Sequence, residues 1–67
     1  MLLIRTRQLK GGYREAFFNV KVPHPETGKP ISVVERILGG GPYPELEILI
    51  RLRIRFPNQQ IRLKQVS

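Results

Sequence analysis

The sequence predicts an all-β protein: a small antiparallel sheet of four or five strands, flat or curled into an open barrel, that ends in a basic β-hairpin. Three observations predict it. Gly- and Pro-rich punctuation at positions 10 to 12, 23 to 30, 39 to 44 and 57 to 60 cuts the 67-residue chain into five pieces, each of strand length. The first two pieces are rich in β-branched or aromatic residues and lack helix caps. Toward the C-terminus, apolar and basic residues alternate with a period of two.

Residues 2 to 9 and 13 to 22 are the first two strands, and the compact turn at "LKGG" makes them an antiparallel hairpin. In the second strand Arg14, Ala16, Phe18, Val20 and Val22 share the expected core face, while Tyr13, Glu15, Phe17, Asn19 and Lys21 share the outer one. The third piece, residues 31 to 38, reads as a strand returned beside the second by the loop at "HPETGK". Its alternative is a short helix at 31 to 38, started by Pro30 and stopped by Gly39, which would make the fold α+β. Three β-branched apolar residues in eight weigh against that helix.

In the fourth piece Ile48, Ile50, Leu52, Ile54 and Phe56 alternate with Arg51, Arg53 and Arg55, a pattern that a strand gathers on two clean faces. After "PNQQ" the fifth piece repeats it, with Ile61 and Leu63 against Arg62 and Lys64. Pairing Phe56 with Ile61 keeps both faces pure, whereas a slip by one residue would mix charge into the core face. The expected hairpin therefore collects Arg51, Arg53, Arg55, Arg62 and Lys64 on one surface, extended by Arg5 and Arg7 from the first strand.

Folding alone disfavours that collection, because like charges opposite one another in a sheet cost some tenths of a kcal/mol per pair. A solvated face is usually of mixed sign, but this one has five cations and no anion between positions 51 and 64. Arginine forks match phosphate oxygens, and four of the five are Arg. The whole chain carries a net charge of +7 with a pI near 10.9. The expectation is a non-catalytic nucleic-acid binder, DNA or RNA. The rival is a small assembly or adaptor protein that docks on an acidic protein partner or self-associates through a strand edge. Asn58, Gln59 and Gln60 at the hairpin tip are polar for reasons of turn chemistry. Tyr13 and Phe17 share the outer face in the manner of a stacking platform, although core packing is the commoner role for such residues in so small a chain.

At this length residues 1 to 67 make one small basic domain with a marginal core, which favours a homo-oligomer because neither a disulfide nor a metal is at hand. There is no cysteine, and His24 is the single histidine, placed between prolines as a loop residue. Around "TGKP" (residues 27 to 30), Pro23 and Pro30 stand where a phosphate-binding loop needs Gly and Ser or Thr, and "LGGGPYP" reads as a flexible connection. The scattered glutamates and two serines offer no catalytic set, so no cofactor and no enzyme activity are expected. "MLLIRTR" is far short of a signal peptide or membrane span, so the expected protein is cytoplasmic, with no membrane partner.

Overall fold

The computed structural model describes residues 1 to 66 as a four-stranded sheet with a helix laid across one face. Strands β1 (Leu2–Gln8), β2 (Arg14–Pro23) and β3 (Pro30–Gly39) form an antiparallel meander. Helix α1 (Pro44–Arg55) follows, and β4 (Ile61–Gln65) rejoins the sheet. The order across the sheet is β3, β2, β1, β4, and β4 runs parallel to β1. Strand predominates, as expected, but the sheet is mixed instead of wholly antiparallel. Parallel strands need a long crossover between them, and α1 supplies it by carrying the chain from one edge of the sheet to the other.

The meander follows the sequence closely. Gly11 and Gly12 take positive φ (76° and 78°) in the turn after β1, and the Leu9 amide donates to the Tyr13 carbonyl at 2.8 Å. Residues 31 to 38 are strand, so the alternative helix there is overturned. Cross-strand pairs such as Val20 with Val33 and Val22 with Ile31 suit a pleated surface better than a helix. At the β2 to β3 tip His24 is a structural residue: its Nδ1 accepts from the amides of Glu26 (3.1 Å) and Thr27 (3.4 Å).

The main correction falls on residues 48 to 55, which are helical with Phe56 as the C-cap, so the basic hairpin pairing Phe56 with Ile61 does not form. The reasons lie just upstream of the alternating stretch. Pro44 stands in the first turn, Glu45 and Glu47 complement the positive end of the helix, and Arg53 and Arg55 complement its negative end. Leu, Glu and Arg are also good helix formers. The apolar alternation divides between two helix faces: Ile48 and Leu52, four residues apart, are fully buried, whereas Ile50 (52% exposed) and Ile54 (77%) point outward.

Ile48 and Leu52 meet Ile4 and Ala16 in a small core, with Leu2, Phe18, Ile37, Phe56, Ile61 and Leu63 packed around it. The ring of Phe18 meets that of Phe56 edge-on at 5.4 Å. Burial of the two helix residues stabilises by about 1.5–3 kcal/mol each. Pairing of β1 with β2 is confined to Arg5 through Gln8, so β2 and β3 run on together beyond it as a two-stranded arm. The arm and the uncovered sheet face account for a surface of 5318 Å², where a compact protein of this mass would show about 4,400 Å².

Candidate nucleic-acid interface

Side chains alternate across a strand, and the single helix covers one face only. Toward α1 point Ile4, Thr6, Arg14 and Ala16, all buried. Among the described residues no element lies over the opposite face. Register fixes what meets there: Lys64 lies beside Arg5, Arg5 beside Phe17, and Phe17 beside Arg36. These four residues form one row across all four strands, with a half-buried aromatic ring between cations. On either side of the row Arg62 pairs with Leu3, and Arg7 pairs with Glu15.

The charge on this face is lopsided. Glu15 is shared by Arg7 (Nη2 to Oε1, 3.2 Å) and Arg36 (Nε to Oε1, 3.6 Å). Among the described residues, Arg5, Arg62 and Lys64 enter no ion pair. All three are exposed. Five cations thus face one carboxylate, with Lys21 as a further cation on the arm.

The seven residues singled out from sequence are divided by the fold. Arg5, Arg7, Arg62 and Lys64 come together on the bare sheet face, whereas Arg51, Arg53 and Arg55 ride on α1, and of these three Arg53 reaches the β4 edge beside Arg62. Arg51 pairs with Glu47 one turn earlier at 3.1 Å. Arg55 holds Glu35 through Nε (3.2 Å) and Nη2 (3.4 Å) and lies 5.1 Å from the centre of the Phe56 ring. Arg53 is exposed and lines a shallow hollow with Pro57, Gln60 and Arg62. Asn58, Gln59 and Gln60 sit in the connection from α1 to β4, since there is no hairpin for them to tip.

One member of the row, Arg36, was missed, and a second, Phe17, was given the wrong neighbour. Arg36 shares its face of β3 with Ser32 and Val34, a parity readable once 31 to 38 is taken as strand. Phe17 was placed on the correct outer face, but its position between Arg5 and Arg36 depends on the order of strands, which sequence does not carry. Tyr13 precedes β2 and packs its ring over Gly40 instead of joining Phe17.

Arg14, by contrast, is structural. It is 8% exposed, donates from Nη1 to Thr6 Oγ1 at 3.3 Å and lies 3.5 Å from Glu45, which also accepts from Gln65 Nε2 at 2.8 Å. This network ties β1, β2, α1 and β4 together. Within the glycine run, Gly39 and Gly40 are closely packed. A Cβ on Gly39 would collide with the Pro44 carbonyl oxygen, and the Gly40 amide donates to Glu47 Oε2 at 3.3 Å. A carboxylate already occupies the place an anion would take.

Compared with models of protein families, with curated proteins and with solved structures, the chain matches none of them. The partner expectations are corrected accordingly. Nucleic acid and an acidic protein were argued from the net charge and the basic hairpin, and a second copy from the marginal core and a strand edge; the hairpin does not form, and the comparisons support none of these partners. Among the described residues no helix is long and apolar enough to cross a membrane.

Proposed function

We propose that this chain is a non-catalytic nucleic-acid-binding protein that contacts phosphates with its bare sheet face. One observation carries the reading: the cross-strand row of Lys64, Arg5, Phe17 and Arg36 lies on a face with five cations and one carboxylate. Placing Arg5 directly beside Lys64 costs folding some tenths of a kcal/mol, and an anionic ligand would repay that cost. Guanidinium groups suit phosphate by their fork geometry. The same reading keeps the chain in the cytoplasm.

The test is fluorescence anisotropy of labelled oligonucleotides across a salt series. With Glu15 offsetting one of the five cations, about four net charges meet phosphates. The logarithm of the affinity should then fall against that of salt with a slope of about −2.8 on single strands or −3.6 on a duplex. The double substitution Arg5→Gln with Lys64→Gln should reduce the slope by about two charges' worth, whereas Arg51→Gln with Arg55→Gln on α1 should leave it unchanged. Equal losses from the two pairs, or no binding at low salt, would defeat the proposal.

A further inference from the structure

We infer that the ligand of the bare face is a single strand, not a duplex; this rests on the nucleic-acid reading and narrows it. The first argument is width. Neighbouring strands lie about 4.8 Å apart, so the row from Lys64 to Arg36 spans roughly 14 Å between its outer backbones before any side chain is counted. A duplex major groove is about 12 Å wide and admits a helix or a two-stranded ribbon. The four-stranded face is too broad to enter it. The two-stranded arm is narrow enough, but its face on this side carries Asn19, Lys21, Ser32 and Val34, a single cation among them. The charge lies where the sheet is wide.

The second argument is the ring at the centre of the row. Phe17 is flanked across the strands by Arg5 and Arg36, and no element of the fold covers its face of the sheet. A duplex keeps its bases stacked inside and offers only phosphates to such a surface, so an aromatic there would gain nothing. A single strand laid across the strands can place a base on Phe17 and its flanking phosphates toward Arg5 and Arg36, and a sheet of this width has room for about two to three nucleotides. Arginine planes beside the ring add stacking surfaces of their own. Arg62 and Lys64 lie at the edge strand, where they lengthen the cationic track.

The experiment compares, by anisotropy at one low salt concentration, labelled single-stranded RNA and DNA, the corresponding duplex, and an abasic oligonucleotide of equal length and charge. Wild-type protein should bind the single strands at least about tenfold more tightly than the duplex and should lose about five- to 160-fold on the abasic strand, the range of one stacked base. Phe17→Leu, which keeps an apolar side chain but removes the π-face, should show the same loss on the normal strand and none on the abasic one. The comparison of normal and abasic strands needs no variant, so it decides even if the substitution unfolds the protein. Equal or tighter duplex binding, or indifference to the bases, would overturn the single-strand inference while leaving phosphate binding standing. Absence of binding to every probe would remove the underlying reading along with it.

Discussion

Gly39→Ala separates the observed architecture from the hairpin that the alternating sequence suggested, because the two give opposite signs. Gly39 ends β3 and does not have a positive φ. At such a position alanine ordinarily raises stability by about 0.4–1 kcal/mol by restricting the unfolded chain. In the fold described above its Cβ would run into the Pro44 carbonyl oxygen and come within 2.8 Å of Ile48 Cγ1 and 3.2 Å of Cδ1. Neither neighbour can give way easily: Pro44 begins α1, and Ile48 is fully buried beneath it. Overpacking of this kind costs about 1–3 kcal/mol. Offset by the entropic gain, the net loss has a central value of about 1.3 kcal/mol and an upper end of about 2.6 kcal/mol, the central value lowering Tm by about 5–10 °C for a domain this small.

Gly40→Ala is the graded control. Its Cβ would meet the Tyr13 ring at 2.7 Å, but that side chain is 47% exposed and can swing aside. Thermal unfolding followed by circular dichroism should therefore rank wild type first, Gly40→Ala second and Gly39→Ala last. A Tm for Gly39→Ala at or above wild type would show that α1 does not close on the end of β3, and the crossover that sets β4 beside β1 would fall with it.

Leu52→Ala should cost about 2–5 kcal/mol, whereas Ile54→Ala, at a position 77% exposed, should stay within about 0.5 kcal/mol of wild type; urea unfolding measures both, and equal losses would favour the strand over the helix. Arg14→Ala should lower the urea midpoint by the equivalent of about 1–3 kcal/mol through loss of its bonds to Thr6 and Glu45, and an unchanged midpoint would show that network to be idle. Arg55→Gln should cost about 0.5–1 kcal/mol, since its pair with Glu35 is solvated. Arg53→Gln, without an ion pair among the described residues, should cost nothing measurable in the same assay.

The meander was legible because each of its strands stands between turn residues whose chemistry is local: Gly11 and Gly12 after β1, Gly28 and Lys29 before β3. Even the core face of β2 could be read, with Arg14 and Ala16 pointing inward as buried residues. Residues 48 to 55 were not legible from their alternation, because "ILIRLRIR" fits both periods. As a strand it puts four apolar residues on one face; as a helix it puts Ile48 and Leu52 on one stripe, with Ile50 and Ile54 on another. The strand buries more, so the pattern alone favours the wrong answer. The deciding residues, Pro44, Glu45 and Glu47, precede the alternating run and act through backbone donors and the helix dipole, terms to which hydrophobic periodicity is blind.

That single change of element also explains why the site was only half visible. Had residues 48 to 56 been a strand, Arg62 and Lys64 would have faced Arg55 and Arg53, and the cationic surface would have been confined to two adjacent strands. With α1 as a crossover, the same two residues land beside Leu3 and Arg5 at the far edge of the sheet, while Arg51 and Arg55 stay with the helix in pairs with Glu47 and Glu35 and only Arg53 comes near Arg62. Among the described residues one helix lies against the four-stranded sheet, and the other face is open. Generic solubility would be met there by charges of mixed sign. Arg5 beside Lys64, with Glu15 as the one carboxylate there among the described residues and Phe17 at the centre, is the arrangement that solubility alone does not require, and it exists only because β4 runs parallel to β1.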